Sequence, residues 1–580
     1  MALIAMSLAT SRSHSREHKL RTMADFQQTA PRLPDAWSSD RILREGLAYH
    51  LGDEVFAAAE PELGELGRAV TDARVLDLAA RAEREPPRHV PYSPWGERVD
   101  EIQVSDAYSE LGRFGVEAGV TALPYETDPY GVKARLVWAG VLSLWGPSSA
   151  LASCPVAMTD GAARTLLLHG GDEERDIVER LTTRDPERAW ASGQWMTETA
   201  GGSDVGRTGT VARRDDNGHW RLWGTKWFTS ATTSEMALTL ARPEGGPEGS
   251  RGLVLFRVHR FLGDGTRNRI IVRRLKDKLG TRALPTAELE LEGALAWPVG
   301  EPEMGSGVRR IATMLNITRI HNALGASGAL GRGLAWARAY AREREVFGRP
   351  LHELPAHRAT LTDLAVDYAA GLALVLRCCE LAGRQEHGTG AAGESAVLRC
   401  LTPVTKLSTG RWSIAGVTEA MEAIGGVGYC EDSTIPALVR NTHVIPIWEG
   451  TTNVLSLDVL RAAQKSNALE ALLDDGLRLV ADLVDDPRSG ETARAILTAV
   501  DELNKRSVEM ADDPEGAEAG ARPLALGTGS TYACALLCRQ GHWAARRGKG
   551  STAAIAARLA TRGLVPAPPP LDLTIAMNDE

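Results

Sequence analysis

The 580-residue chain lacks several features that assign many proteins to a class at first sight. It has no apolar run of membrane-spanning length, so we predict no transmembrane helix. Its seven cysteines include no Cys-x-x-Cys pair, which favours buried reduced thiols over a disulfide framework. The net charge of -9 provides no overall attraction for nucleic acid or anionic membranes, so such contacts would need a local basic patch.

Several catalytic and nucleotide-binding signatures are also missing or broken. The chain contains no Walker loop and no Gly-x-Ser-x-Gly elbow. The HELPAH stretch at 352–357 resembles a zinc motif, but Pro355 separates its histidines, so they cannot share one helix face and we predict no metal site. The glycine-rich GASGALGRG at 325–333 has no preceding strand, which favours close helix packing over a dinucleotide-binding turn.

Periodicity divides the chain into a tail, residues 1–35, and four further segments. Residues 36–190 and 305–465 carry apolar residues at three- and four-residue spacing, which predicts helices. Residues 191–304 alternate between short apolar runs and glycine-rich turns, which predicts strands. With a further helical region at 466–580, the predicted fold is multi-domain α+β. It comprises an N-terminal α-helical domain, a middle antiparallel β domain, a C-terminal helical bundle and an additional helical C-terminal domain.

The N-terminal tail is rich in serine and arginine and has no long apolar core, so we do not interpret it as a secretory signal. It is either a mitochondrial presequence or an extension upstream of a start at Met23, and we favour the second interpretation. We therefore expect a cytoplasmic protein, with the mitochondrial matrix as the alternative compartment.

Charge is distributed unevenly in the additional C-terminal domain. Residues 470–518 carry 14 acidic and 5 basic side chains, whereas residues 522–562 carry seven basic side chains and no acidic one. Such a cluster is either a contact surface for DNA or a solvated helix face that pairs with the acidic segment. The sequence alone favours the pairing interpretation, and Arg546, Arg547 and Lys549 are the candidates for a DNA contact.

Two stretches at the start of the β segment have the residue types of a ligand-binding site. TETAGGSDVGRTGT at 197–210 combines hydroxyls, adjacent glycines and backbone amides that suit an anion or the edge of a heterocycle. GTKWFTS at 224–230 places an aromatic ring and hydroxyls at a strand end, where they suit a flat ring system. Each pattern alone is also typical of an ordinary turn or of a core tryptophan.

A third stretch, HVIPIWEGTTN at 443–453, holds a single carboxylate, Glu449. The threonines that follow it can cap a helix that begins near Asn453. The helix dipole favours the carboxylate, whereas burial beside Ile447 and Trp448 favours the neutral acid. A carboxyl group poised between these influences suits a general base. The alternative is an ordinary first-turn glutamate that stabilises the helix.

Five motifs in this order resemble the acyl-CoA dehydrogenase flavoprotein family: MTETAGGSD, GTKWFTS, Arg-x-x-Phe-Gly at 344–348, AIGGVGY and IWEGTTN. Together they span roughly residues 40–465, and ordered motifs are far more specific than any one alone. The resemblance implies an N-terminal helical domain, a β domain and a C-terminal four-helix bundle. Periodicity predicts the same order.

The resemblance also implies FAD as the cofactor and assigns residues by analogy. Thr197 and Ser203 would hold the flavin and its phosphate, and Thr229 would lie near the flavin N5. Arg344 and Phe347, with Gly425 and Gly426, would bind FAD across a subunit interface, which implies a homodimer or homotetramer. The implied cofactor-binding residues are Met196, Thr197, Gly202, Ser203, Trp227, Phe228, Thr229, Arg344, Phe347, Gly425, Gly426, Ile447, Trp448, Gly450, Thr451 and Asn453.

On this resemblance Glu449 is the catalytic base. It would remove the α-proton of an acyl-CoA thioester while the β-hydride passes to the flavin, giving a trans-2-enoyl thioester. Ser203, Arg319 and Trp448 are the implied substrate contacts, and an electron-transfer flavoprotein is an implied electron acceptor. A lysine or arginine close to Glu449 would lower its pKa and weaken it as a base, so we expect apolar surroundings without such a cation.

Several positions depart from the common pattern of the family. The usual Pro-Gly-Ala-Gly before Ser-Asp is Thr-Ala-Gly-Gly at 199–202. Trp448 replaces the usual tyrosine before the base, and Asn316 replaces an aspartate that contacts coenzyme A in many members. These departures and the long C-terminal domain resemble most the AidB-like branch, an adaptive-response group linked to DNA alkylation damage. Its members keep FAD and the glutamate and bind DNA through the C-terminal domain.

Three functions therefore stay open at the level of sequence. The leading hypothesis is an FAD-dependent acyl-CoA dehydrogenase-like oxidoreductase of the AidB type, with weak activity. The second is a DNA-binding flavoprotein that protects against alkylation damage. The third is a flavin oxidase or monooxygenase, although Glu449 argues mildly against a nitroalkane oxidase, whose base is an aspartate.

Overall fold

The computed structural model describes residues 29–302, 305–511 and 513–567. The segment predicted to be a presequence or an upstream extension falls mainly in residues 1–28, outside the described residues. Within the described ranges, no helix is long and apolar enough to cross a lipid bilayer.

The N-terminal part is a cluster of helices: α1 (Ala36–Ser39), α2 (Arg41–Ala69), α3 (Ala73–Arg84), α4 (Asp106–Glu117), α5 (Ala134–Trp145), α6 (Ser153–His169) and α7 (Arg175–Leu181). The side chains of Asp35, Asp40, Asp72 and Ser105 accept hydrogen bonds from first-turn amides of α1 to α4, so polar caps determine where these helices begin. α5 is buried on nearly every side and forms the centre of the cluster.

A β-hairpin interrupts these helices and corrects the prediction that residues 36–190 are helical throughout. β1 (Arg88–Tyr92) pairs antiparallel with β2 (Arg98–Gln103). The amide of Val272, in the next domain, donates to the Asp100 side chain of this hairpin at 3.2 Å. An isolated two-stranded hairpin is marginally stable in water, so tertiary contacts rather than the local pattern hold it in place.

The middle of the chain forms a seven-stranded sheet of β3 (Ser192–Trp195), β4 (Val211–Arg214), β5 (Trp220–Ser230), β6 (Met236–Pro243), β7 (Val254–His259), β8 (Ile270–Leu275) and β9 (Thr286–Pro298). The predicted strands are confirmed, but the sheet is mixed rather than wholly antiparallel, because β6 runs parallel to β3 and β4. Along β6, Met236, Leu238 and Leu240 pack into the helical core. The alternate Ala237 and Ala241 face the core of the sheet itself.

The predicted bundle is built from α8 (Ser306–Glu343), α9 (Pro355–Glu386), α10 (Glu394–Ile424) and α13 (Thr452–Ser466). A short hairpin of β10 (Glu345–Val346) and β11 (Arg349–Pro350) connects α8 to α9. Two short helices, α11 (Gly426–Tyr429) and α12 (Ile435–Thr442), lie between α10 and the Glu449 segment.

The additional C-terminal helices are α14 (Ala468–Val480), α15 (Gly490–Glu509), α16 (Pro514–Ala545) and α17 (Ser551–Thr561). One apolar core runs through the N-terminal helices, the bundle and these helices, and it includes Leu47, Leu374 and Leu537. The C-terminal helices therefore share the core of the bundle instead of building a separate one.

A buried charged network joins α5, α6, α8 and α9. Asp160, which is fully buried, accepts hydrogen bonds from Arg135 Nη1 at 2.5 Å and from the Tyr125 hydroxyl at 2.6 Å. His321 Nε2 lies 2.8 Å from Asp160, and Arg135 also contacts Glu386 at 2.9 Å. Burial opposes the charge of Asp160, but Arg135 and His321 hold the pKa of this carboxyl group well below its usual range.

Replacement of Asp160 with alanine should destabilise the protein by about 3–5 kcal/mol, because Arg135 would lose a buried counter-charge. Urea unfolding followed by circular dichroism measures the loss. Since the folded-state pKa is depressed, the contribution of Asp160 is present above the unfolded pKa of about 4 and is lost as the pH falls below it.

The matched control is Glu187→Ala, which removes an exposed partner of Arg113. It should destabilise the protein far less, because water screens an exposed ion pair. Equal losses in the two variants would contradict a structural role for the buried network.

Candidate active site

A cavity of about 1210 Å³ lies where the sheet meets the bundle. Its walls come from α3, the α5–α6 connection, the end of β3, β5, α8, α12 and the loop before α13. The predicted site residues that line it are Met196, Thr197, Gly202, Ser203, Phe228, Arg319, Ile447, Trp448, Glu449, Gly450 and Thr451. The fold thus gathers at one cavity residues from motifs that are far apart in the chain.

Glu449 reaches the cavity from a strained turn. Its φ of 58° lies in the left-handed region, and the next residue, Gly450, has a φ of 104°. α13 then begins at Thr452, with Thr451 as the N-cap whose hydroxyl oxygen accepts from the Val454 amide at 3.4 Å, as predicted. A non-glycine residue in this region costs about 1–3 kcal/mol, so the surrounding packing must hold Glu449 there.

The Glu449 carboxylate has two side-chain partners. Its Oε2 accepts from the Thr318 hydroxyl on α8 at 2.7 Å, and its Oε1 lies 3.4 Å from Gln194 Nε2 on β3. Protein atoms enclose the carboxylate, but it borders the cavity and part of the residue stays accessible. Burial raises the pKa of Glu449 above its ordinary value, and the Thr318 bond offsets this only in part.

Two cations lie close to Glu449, which corrects the prediction of surroundings without a basic residue. Arg319 Nε lies 3.4 Å from the Glu449 carbonyl oxygen, and Lys406 Nζ donates to the Gly450 carbonyl at 2.6 Å. Both charges lower the pKa of Glu449, yet burial outweighs them. Arg319 is paired with Asp458 at 3.0 Å, and burial lowers the pKa of Lys406 to about 7. Neither cation therefore offers Glu449 a full, unshared charge.

The MTETAGGSD segment forms a loop after β3 that a buried ion pair holds from inside. Glu198 lies 2.7 Å from Lys226 Nζ on β5 and also accepts from the Gly209 amide at 2.7 Å. Burial opposes the charge of Glu198, but Lys226 brings its pKa below the ordinary value. A Cβ atom at Gly202 would lie 2.4 Å from the Thr197 hydroxyl, so the loop can fold back only with glycine there.

The aromatic motif on β5 presents one ring to the cavity. Phe228 is 56% exposed and lines the wall, whereas Trp227 is half-buried under Lys276, whose Nζ lies 3.6 Å from the ring centroid. The Thr229 side chain is fully buried, and its hydroxyl donates to the Ala287 carbonyl at 2.7 Å. A position of Thr229 beside the flavin stays a prediction.

Besides Trp227 and Thr229, five more predicted cofactor residues lie outside the lining of this cavity within one chain. Arg344 precedes the β10–β11 hairpin, and Phe347 at its tip is 97% exposed. Gly425 and Gly426 form the turn between α10 and α11, and Asn453 is exposed in the first turn of α13. The binding of Arg344, Phe347, Gly425 and Gly426 to FAD across a subunit interface stays a prediction. The contact of Asn453 with the cofactor stays a prediction as well.

Sequence reasoning missed four residues that position the site, namely Gln194, Glu198, Thr318 and Lys406. Thr318 directly precedes Arg319, and Glu198 lies inside a quoted motif, so a local signal existed for both. Gln194 and Lys406 carry no such signal, because only the packing of β3 and α10 brings them to Glu449.

Comparison with known families covers most of the chain. Residues 305–464 match the acyl-CoA dehydrogenase C-terminal domain, and residues 193–294 match the acyl-CoA dehydrogenase middle domain. Residues 27–187 match the N-terminal domain of the adaptive response protein AidB. The chain belongs to the acyl-CoA dehydrogenase family. Its N-terminal domain places it in the AidB-like branch, so the family predicted from the ordered motifs is confirmed.

Two relatives of this acyl-CoA dehydrogenase family protein support the assignment to the family. Acyl-CoA dehydrogenase family member 11 of Caenorhabditis elegans is 39% identical over 552 residues, which cover 93% of this chain and 89% of the relative. AidB of Escherichia coli strain K12 is 33% identical over 452 residues, which cover 76% and 80%.

Solved structures show the same architecture. Caenorhabditis elegans ACDH-11 in complex with C11-CoA has a TM-score of 0.88 and 37% identity, and the match covers 97% of this chain and 96% of that chain. The apo form of Bd2924 has a TM-score of 0.81 and 42% identity, with 89% and 99% covered. The predicted fold, with its additional C-terminal helices, is therefore confirmed.

FAD is the cofactor of this family, and the residues at the cavity fit it. The loop at Gly202 brings Thr197 and Ser203 to the cavity wall, where hydroxyl-bearing residues suit the polar edge of a flavin. Gln194 Oε1 is buried without a partner among the described residues, and Phe228 exposes a flat ring in the wall. The cavity also exceeds the roughly 300–1,000 Å³ of an ordinary small-molecule site, which suits a dinucleotide together with a substrate.

The basic residues of the C-terminal helices are largely paired with carboxylates of the same chain. The pairs include Arg539 with Asp482, Arg558 with Asp363 at 2.9 Å and Arg562 with Asp367 at 2.7 Å. Among the candidates for a DNA contact, Arg547 lies 4.2 Å from the Trp543 ring centroid and 3.4 Å from Asp53. Arg546 and Lys549 are exposed. This arrangement favours an internally paired face, and DNA binding stays a prediction.

Replacing Thr318 with valine should raise the pKa of Glu449 further, because the hydrogen bond that favours the carboxylate is lost while burial remains. The ionised base would then form only at higher pH. The acidic limb of the pH profile for acyl-CoA-dependent flavin reduction should therefore move to higher pH.

Thr318→Ser, which keeps the hydroxyl, is the matched control and should keep the wild-type profile. A valine variant with an unshifted acidic limb would show that this hydrogen bond does not tune the base.

Proposed function

We propose that this protein is an FAD-dependent oxidoreductase that dehydrogenates an acyl-CoA thioester, with Glu449 as the catalytic base. The proposal rests above all on a buried carboxylate of raised pKa in the wall of a large cavity. Residues of the family's flavin motifs line the same cavity. Membership of the acyl-CoA dehydrogenase family supports both the cofactor and the reaction.

The surroundings of Glu449 suit proton abstraction from carbon. Burial disfavours the charged form, so the ionised carboxylate is a stronger base here than in water. Thr318 and Gln194 determine the direction of its oxygens. Lys406 holds the next peptide through the Gly450 carbonyl, so the turn that carries the base is anchored on both sides.

The residues proposed to hold FAD come from the loop after β3 and from β5. Thr197 and Ser203 offer hydroxyls at the cavity wall, and Phe228 offers an apolar ring face. When bound, FAD supplies the acceptor for the β-hydride, so that loss of the α-proton to Glu449 converts the acyl thioester into a trans-2-enoyl thioester. A protein such as an electron-transfer flavoprotein would then take up the electrons.

An acyl-CoA ester is the proposed substrate class. ACDH-11 of Caenorhabditis elegans was solved with C11-CoA, and that protein is 37% identical to this chain. Ser203, Arg319 and Trp448 line the cavity and are the proposed substrate contacts. Because Arg319 already pairs with Asp458, it also holds the wall beside Glu449.

The two alternative functions use other parts of the molecule. An oxidase or monooxygenase would share the flavin site, but a buried, poised glutamate favours dehydrogenation of a carbon acid. A role at DNA would depend on Arg546, Arg547 and Lys549. The carboxylate partner of Arg547 reduces the charge that this surface offers to phosphate.

Glu449→Gln should slow acyl-CoA-dependent flavin reduction by about 10²–10⁴-fold or more, because the amide cannot accept the α-proton. Anaerobic mixing with a panel of acyl-CoA esters, followed by loss of the visible flavin absorbance, measures this rate. Glu431→Gln, at a second glutamate that borders the cavity, is the control and should bleach at the wild-type rate. Rapid bleaching by the Glu449 variant would refute its role as the base.

We also propose a homodimer or homotetramer that forms through the β10–β11 hairpin and the turn after α10. Phe347 is 97% exposed, Tyr429 77% and Val427 55%. Exposed apolar side chains of this size are candidates for an interaction surface. They lie in the two motifs whose family counterparts bind FAD across an interface, so one protomer would complete the cofactor site of its partner.

Phe347→Asp should lower both the molar mass in solution and the ratio of FAD to protein, because a charge would have to be buried at the interface. Light scattering after size exclusion and flavin absorbance measure the two quantities. Trp95→Asp is the matched control, since Trp95 is 92% exposed at the tip of the other hairpin, β1–β2. An unchanged mass in the Phe347 variant would exclude this hairpin as the interface.

A further inference from the structure

An arginine without a carboxylate partner lies in the wall of the cavity that holds Glu449. Arg332 on α8 is only 9% exposed, and it lines the cavity. Its Nη2 donates to the Ser148 hydroxyl at 2.9 Å. Within residues 29–302, 305–511 and 513–567, no carboxylate pairs with it. A buried, uncompensated guanidinium is costly in free energy, so a ligand that neutralised it would recover part of that cost.

Ser148 orients Arg332 but cannot neutralise it. The Ser148 hydroxyl donates to the Val70 carbonyl at 2.7 Å, which leaves its oxygen to accept from the guanidinium. This bond uses one of the five N–H donors of the arginine. Burial lowers the pKa of Arg332 to about 10, so the side chain is still charged at neutral pH.

One face of α8 connects Arg332 to the catalytic carboxylate. Thr318, which bonds to Glu449, and Arg332 are nearly four helical turns apart, roughly 21 Å along the axis, and lie on about the same side of the helix. Between them, Gly325 and Ala329 also line the cavity. The cavity wall on α8 therefore runs without a break from the base to the arginine.

The small residues of this face leave room for a ligand. A Cβ atom added to Gly325 would meet nothing within 4 Å, whereas one on Gly328 would meet Pro147 at 3.3 Å. The GASGALGRG stretch thus serves both helix packing, as predicted, and the cavity. The cavity lining also includes the apolar side chains of Leu76 and Leu142.

We propose that Arg332 selects acyl-CoA esters whose acyl chain ends in a carboxylate, that is, thioesters of long dicarboxylic acids, and binds that carboxylate at the end of the cavity away from Glu449. This inference rests on the proposed function. A guanidinium binds a carboxylate through two parallel hydrogen bonds, which gives both affinity and geometric selectivity. A methyl-terminated chain would leave Arg332 buried and unpaired, so it would be the poorer substrate.

The test compares acyl-CoA esters of equal chain length that end in a methyl, a hydroxyl or a carboxylate group, over a series of long chains. The measured quantity is the second-order rate constant for flavin bleaching by the holoenzyme. The wild type should favour the carboxylate ester by about tenfold or more. Arg332→Met should abolish this preference, and Arg332→Lys should keep part of it, because lysine retains the charge but not the bidentate geometry. A wild-type preference for the methyl or hydroxyl ester would overturn the inference and leave the proposed dehydrogenation standing.

Arg338→Met is the matched control on the same helix, since Arg338 lines a separate, smaller cavity. It should keep the selectivity of the wild type. Arg332→Met should also unfold at the wild-type temperature or above it, because the substitution removes an unpaired buried charge. Loss of FAD from the Arg332→Met variant, or a marked fall in its melting temperature, would assign Arg332 a structural role and overturn the inference.

Failure of the proposed dehydrogenase function would give a different result from failure of the inference about Arg332. If no ester bleaches the flavin of the wild type, the dehydrogenase assignment fails, and the selectivity is measured as binding instead. Calorimetric titration of Glu449→Gln and of the Glu449→Gln, Arg332→Met double variant with the same esters then decides. Tighter binding of the carboxylate ester that disappears in the double variant supports the inference, and equal binding of all three esters refutes it.

Discussion

The burial of one carboxylate, Glu449, is the constraint on which the rest of the site depends. Two cations, Arg319 and Lys406, approach this residue, and either one with a free charge would weaken it as a base. The effect of both cations on Glu449 is reduced. Arg319 forms an ion pair with Asp458, and Lys406 is fully buried, which disfavours its charged form. The desolvation of Glu449 therefore outweighs the attraction of its neighbours, and its pKa stays raised.

Arg332 differs from the buried charged residues Asp160 and Glu198, which each pair with an oppositely charged side chain. Asp160 is matched by Arg135 inside the helical core, and Glu198 is matched by Lys226 under the loop proposed to hold the cofactor. These pairs connect helices and strands that must keep their relative positions for the cavity to persist. Arg332 is comparably buried but has only a neutral hydroxyl as its partner. A charge left unmatched at a cavity wall is what a site for an anionic ligand requires, whereas a purely structural arginine gains from a carboxylate.

Much of this architecture could be predicted from the sequence. The periods of the apolar residues were sufficient for the helical, β and helical segments, because these patterns follow directly from helix and strand geometry. The prediction failed at the β1–β2 hairpin, which depends on contacts such as that of Asp100 with Val272. It was also too simple for the sheet, since the parallel partners of β6 come from separate parts of the chain. The order and direction of the strands in a sheet cannot be predicted from the local sequence pattern.

The sequence by itself determined which chemical groups were present and the order of the motifs that carry them, including Glu449 and the glycine at 202. Local structure can be predicted from the sequence because helix caps, tight turns and apolar periodicity depend on residues that are close along the chain. Only the tertiary structure decided which groups meet. Thr318, Gln194 and Lys406 converge on the base, and Arg332 faces the same cavity. Their pKa shifts arise from burial and from charges contributed by distant elements, and such quantities exist only once the chain has folded.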